Sequence, residues 1–166
     1  CGAQTQATLG FVLVSALEAA LASGHARQEA SAQLNLGSFL LEQGDCGAAR
    51  PALLRANALA RDLADYAVEL ASLDSLGTLY ARTGEPWAAR GAFERSVSLA
   101  VQAGARPGEV QARLGLGRLL LDQGEVAAAR AHLELGLRAA QDAGLPREQA
   151  ALHEVLSDCL LYTSPS

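Results

Sequence analysis

The chain has 166 residues, a formal net charge of −5 and a pI near 5.1, so no general electrostatic attraction to nucleic acid or to an anionic membrane surface is expected. Hydrophobic residues make up 50% of the chain and aromatic residues 4%, and most of the apolar content is Ala and Leu, strong helix formers that predict an all-α protein. Cys1, Cys46 and Cys159 are odd in number and widely spaced, which implies neither a disulfide framework nor a zinc site and makes a reducing, cytoplasmic setting the default.

The first apolar stretch, ATLGFVLVSALEAALAS, mimics a signal peptide in its length and its Ala20-x-Ala22 ending. It has no basic segment before it and carries Glu18 inside. Read in register with the later segments, it is the second helix of an earlier unit, too short and too interrupted to span a bilayer. Beyond it, LNLGSFLLEQGDCGAARPALL, LDSLGTLYARTGEPWAARGAF and VQARLGLGRLLLDQGEVAAARAHL align without gaps, and Gly37, Gly77 and Gly117 recur at one fixed interval. A constant period of this size marks stacked supersecondary units.

Each unit opens with Glu29, Glu69, Glu109 or Gln149 in the first turn of a helix, where unpaired backbone N–H groups favour negative charge. Pro107 and Pro146 precede two of these and suit a helix start. Leu36, Leu76, Leu116 and Leu156 are each followed four residues later by Leu40, Tyr80, Leu120 or Leu160, which puts the pairs on one buried face. Gly37, Gly77 and Gly117 lie inside this helix although glycine costs about 1 kcal/mol there relative to alanine. Close approach of the second helix through small residues is the expected reason: Ala49, Ala89 and Ala129, with Ala56, Ser96 and Gly136 further on.

Gly44, Gly84 and Gly124 then close the first helix, and Asp45, Glu85 and Glu125 open the second. A short turn of this kind makes the two helices antiparallel neighbours. The second helix carries Leu53, Phe93 and Leu133 as bulky anchors and closes at Gly104 and Gly144, with Gly24 matching in the first, partial unit. Pro51 lies inside a second helix and predicts a kink or a late start. The register divides the chain into a partial repeat over 1–24 (second helix only), full repeats over 25–64, 65–104 and 105–144, and a partial repeat over 145–162 (first helix only). Residues 163–166 are read as a tail of foreign or frayed character, and LYTSPS abandons the pattern where a Gly-Asp turn is due. All thirteen basic residues are Arg, and Lys, Ile and Met are absent, which together with the uncapped ends suggests a piece of a larger protein.

Signs of chemistry are weak. Arg50, Arg90 and Arg130 form a row on the second helices, read as a solvated outer face in preference to a phosphate stripe. His25, His132 and His153 lack partners at ligand spacing, so no metal is expected. Gly115-Leu116-Gly117-Arg118 lies mid-helix and follows no strand, so it is repeat packing and not a phosphate loop. Cys46 has no His nearby in sequence, and Cys159 follows His153 at a spacing that separates them on the helix. No catalytic residue and no cofactor is assigned.

Leu36, Gly37, Leu40, Gly44, Ala49, Leu53 and Ala56, with their matches in the next two units, resemble the tetratricopeptide repeat. The period, about 40 residues, is longer than that family's usual length of about 34 residues. The additional residues are expected between the second helix and the next first helix. In this the chain is similar to the long variety found in large bacterial signalling proteins and transcription activators. Gln33, Arg113 and His153 stand where the family prefers a large apolar residue, a departure that predicts looser contact with the preceding repeat. HEAT repeats share the period and are the alternative, and both predict an α-solenoid of antiparallel helix pairs, right-handed in the tetratricopeptide case.

The resemblance further implies that first helices line a concave groove. The groove positions are Leu34, Asn35, Ser38, Leu41 and Glu42, then Asp74, Ser75, Thr78, Ala81 and Arg82, then Leu114, Gly115, Arg118, Leu121 and Asp122. The four leucines are expected to receive apolar anchors of a partner, with Arg82 and Arg118 pairing with its acidic groups; the plainer alternative is that the leucines pack beneath the helices. The family's clamp for a C-terminal carboxylate needs early basic groove residues, and none is present. The expected function is a noncatalytic scaffold that binds a peptide or helix within a larger cytoplasmic signalling or regulatory protein. Its rivals are a ligand-sensing module and self-association through uncapped ends.

Overall fold

Ala-rich and Leu-rich segments form the helices, a left-handed residue closes the turn after each of the first seven, and among the described N-termini Asp45 and Asp65 supply side-chain caps. The computed structural model describes residues 2–163, and among these residues it holds eight helices and no strand. They are α1 (Gly2–Ser23), α2 (Ala26–Glu42), α3 (Cys46–Asp62), α4 (Tyr66–Arg82), α5 (Pro86–Ala103), α6 (Arg106–Asp122), α7 (Val126–Asp142) and α8 (Pro146–Thr163). Helix starts at Ala26, Tyr66, Arg106 and Pro146 recur at the same interval as the mid-helix glycines, and so do those at Cys46, Pro86 and Val126. The connections are short throughout, so the residues beyond the usual repeat length lie within the helices and not, as the sequence suggested, in the link from one unit to the next.

One turn shows how a helix is closed and the next opened. After α2, the Gly44 N–H donates to the Leu41 carbonyl at 3.1 Å and the Asp45 N–H to the Leu40 carbonyl at 2.9 Å. This pair of bonds requires a left-handed residue, and Gly44 supplies it at φ 86°. Asp45 then caps α3, its Oδ1 accepting from the Ala48 N–H at 2.9 Å. The 6→1 half of the bond pattern recurs from Asp65 to Ala60, Ala105 to Ala100, Glu125 to Leu120 and Leu145 to Ala140.

The chain divides into two compact units, residues 1–83 with α1 to α4 and residues 84–166 with α5 to α8. In the first, α2 packs on α1, α3 and α4. Leu53 on α3 is fully buried against Gly37 of α2: a Cβ on Gly37 would lie 2.7 Å from Leu53 Cγ. The small position on α2 receives a leucine side chain, and with it comes the close backbone approach expected of this glycine, the same Cβ lying 3.2 Å from the Leu53 backbone nitrogen. Helix α3 begins at Cys46 and runs through Pro51, so the late start expected of this proline does not occur. Pro51 is exposed, and the carbonyl that its missing N–H leaves unpaired belongs to exposed Gly47, where water serves.

Helix α1 corrects the expectation that its segment is too short for a bilayer. The helix starts earlier than the apolar run suggested, and Thr5–Ser23 covers 19 residues at a mean hydropathy of 1.4, enough to cross a membrane by length and composition. In this fold it lies against α2, with Gly10 beside the Phe39 ring and Ala20 buried.

In the second unit, α6 packs on α5, α7 and α8. Val110 and Leu114 of α6, Leu133, Ala139 and Ala140 of α7, and Leu152, Val155 and Cys159 of α8 form one apolar cluster. Gly117 meets Leu133 as Gly37 meets Leu53, with a Cβ there 2.5 Å from Leu133 Cδ2. Helix α8 continues to Thr163, so Leu161 is part of a helix and not of a tail; residues 164–166 lie outside the described residues.

Candidate partner-binding face

Alternate helices of each unit share a face, because a short turn reverses the chain and the next reverses it back: α2 lies beside α4, and α6 beside α8. The expected groove residues all fall on α2, α4 and α6, and the two units treat them differently.

In the first unit the face is largely occupied by its own bonds. The Ser38 and Ser75 hydroxyls are 3.2 Å apart and link α2 to α4. Thr78 Oγ1 donates to the Asp74 carbonyl at 3.0 Å on its own helix. Arg82 donates through a terminal guanidinium nitrogen to the Leu41 carbonyl at 2.6 Å, so it closes the end of α2 and is not held out for a partner. Leu41 is 7% exposed and serves as core, not as a receptor for an apolar anchor. Leu34 is half-buried, and Asn35, Glu42 and Ala81 are not part of the core.

In the second unit Leu114 is likewise 7% exposed and belongs to the apolar cluster, and Gly115 is filled by the Phe93 ring, 2.5 Å from where its Cβ would be. Three expected residues do come together. Arg118, Leu121 and Asp122 of α6 line an open cleft of about 650 Å³ with Glu154, Val155, Asp158 and Leu161 of α8. Leu121 is half-buried against the core, Val155 is buried, and Leu161 is 75% exposed at the rim. The α8 residues escape a reading of the first three units alone, although the period gives them: one repeat beyond Leu114, Arg118 and Leu121 stand Glu154, Asp158 and Leu161.

Behind this face lies a buried polar network. The Glu109 carboxylate accepts from Arg113 Nε at 2.9 Å and from Arg106 at 2.9 Å, and Arg113 approaches His132 Nδ1 at 3.4 Å. Arg113 was expected to loosen packing; instead it is buried at 9% exposure with Glu109 beside it, and its stem lies on Gly136, 3.3 Å from where a Cβ would be. Burial, and secondarily the Arg113 charge, lowers the His132 pKa below the ordinary imidazole value. Cys159 is buried among apolar side chains, and that burial pushes its thiol pKa up, which is the setting of an inert cysteine.

The arginine row is engaged within the protein. Arg50 lies over the Tyr80 ring, 5.2 Å from its centre, and donates to Thr83. Arg90 pairs with Glu94 and Glu125 at 2.9 and 2.8 Å, and Arg130 with Glu134 at 3.3 Å.

Paired helices in a fixed register, with glycine under a leucine and a left-handed residue at each close, define an all-α helical-repeat protein. Two models of the tetratricopeptide repeat match the chain, over residues 28–100 and 75–146, and between them they cover most of its length. The chain belongs to the tetratricopeptide repeat family. Members of that family generally mediate protein–protein interaction and are typically noncatalytic. A search of curated proteins finds no significant match.

Proposed function

We infer that this chain is a noncatalytic scaffold that holds a segment of a partner protein on the shared face of α6 and α8, within a larger signalling or regulatory protein of the cytoplasm. The observation that carries this is the cleft lined by Arg118, Leu121, Asp122, Glu154, Val155, Asp158 and Leu161, which combines apolar surface with charge. A peptide side chain seated on Leu121 and Val155 gains apolar burial, and the polar rim fixes its register. Peptide display against the chain tests the reading. One enriched motif, lost in a Leu121→Ala/Leu161→Ala variant of unchanged helicity, is the expected outcome; no motif, or a motif indifferent to that variant, sinks it.

A second reading, self-association, is favoured by α1, where Leu9, Phe11, Val12 and Val14 are all exposed. Sedimentation velocity over a range of concentrations tests it, with Phe11→Asp expected to keep the chain monomeric. A mass that does not change with concentration removes it.

A further inference from the structure

We propose that the α6–α8 cleft takes a basic segment, one in which an apolar side chain is flanked by arginine or lysine. The proposal rests on the reading that the partner lies on this face. Its ground is charge complementarity. Asp122, Glu154 and Asp158 bring three carboxylates to the cleft and Arg118 one guanidinium, so negative charge is in excess there. Among the described residues none of these four enters an ion pair. Elsewhere in the unit several charges are matched: Arg106 and Arg113 share Glu109, Arg90 shares Glu94 and Glu125, and Arg130 has Glu134.

Two further features point the same way. Glu154 and Asp158 are four residues apart on α8, where like charges face each other and destabilise a helix, so an incoming cation relieves a repulsion already present. Asp122 stands in the last turn of α6 and Leu161 in the last turn of α8, where backbone carbonyls leave partial negative charge. A cation bound there meets carboxylates and helix C-termini together. Leu121, Val155 and Leu161 supply the apolar surface for the residue between the cations.

The test is fluorescence anisotropy with two dye-labelled peptides of equal length, one with leucines flanked by arginines, the other with glutamates in their place. The basic peptide is expected to bind about tenfold more tightly at low salt, and to weaken as salt rises. Glu154→Gln/Asp158→Asn should weaken it by about tenfold, and Arg118→Gln should strengthen it by about threefold. Asp142→Asn/Glu148→Gln changes the net charge equally at residues of the same unit that do not line the cleft, and should leave it unchanged. Preference for the acidic peptide, or equal weakening by both double variants, overturns the basic-partner proposal while the shared face stands. Binding of neither peptide, together with a display selection that returns no motif, overturns the face reading and this proposal with it.

Discussion

Ala64 is the only residue other than glycine with positive φ among the described residues, at 51°. It sits where Gly24, Gly104 and Gly144 close the other second helices, and the Asp65 N–H still reaches the Ala60 carbonyl at 2.8 Å. An alanine Cβ is strained in this region, by about 1–2 kcal/mol, part of which glycine's freedom in the unfolded chain offsets. Ala64→Gly should therefore stabilise the protein by about 0.5–1 kcal/mol, read from urea denaturation. An unchanged midpoint would mean that the turn does not store this strain. Gly117→Ala should act in the opposite direction. Its helix propensity gain of about 1 kcal/mol is outweighed by the clash with buried Leu133, for a net loss of about 1–3 kcal/mol in the same assay. The recurring glycines are legible in the sequence because a residue that costs stability is repeated in register. Ala64 is not, since alanine carries no local signal for a left-handed backbone and the period alone imposes it. Leu41 and Leu114 mislead for a related reason: on a helix with apolar residues on several sides, pattern alone does not separate groove from core.

Helices α6 and α7 are tied by a buried polar network where the family pattern calls for an apolar contact. Glu109 neutralises Arg113, and both are buried. Glu109→Ala leaves the guanidinium without its counter-charge and should cost about 3–5 kcal/mol, whereas Glu109→Leu/Arg113→Leu removes both charges and should cost far less. A double variant as unstable as the single one would contradict this account of the pair. His132 adds a pH dependence. Arg113 can only donate, so the 3.4 Å contact needs an unprotonated Nδ1, and burial also lowers the pKa in the fold. In the unfolded chain His132 titrates near its ordinary value of about 6.5, so as pH falls below that value the unfolded state takes up a proton that the folded state resists, and stability declines until the folded pKa is passed. Urea midpoints at pH 7.5 and 5.5 should draw closer together in His132→Asn; an undiminished gap would assign the loss to other groups. The helices themselves are legible from capping residues and period. The network is not, because the register marks Arg113 only as a departure from an apolar position and Glu109 only as a first-turn acid, and the fold alone shows the two covered together.

At the scale of the molecule, the repeat period is plain because three segments align without gaps, and it leads to the family without further help. The candidate site is only half legible. Arg118, Leu121 and Asp122 do line the cleft, but its other wall comes from α8, and Leu161 falls in a stretch whose sequence leaves the pattern. The same family face is self-bonded between α2 and α4 and open between α6 and α8, a difference of hydrogen-bonding side chains that periodicity does not report. The central claim is that a partner segment lies on the α6–α8 face. Hydroxyl-radical footprinting with a display-selected peptide tests it most directly, because Leu161 and Trp87 are almost equally exposed, at 75% and 77%, and only Leu161 lines the cleft. The account predicts that the peptide protects Leu121 and Leu161 and leaves Trp87 and Phe11 labelled at their free rates. Protection of Trp87 or Phe11 with Leu121 and Leu161 unchanged would contradict it.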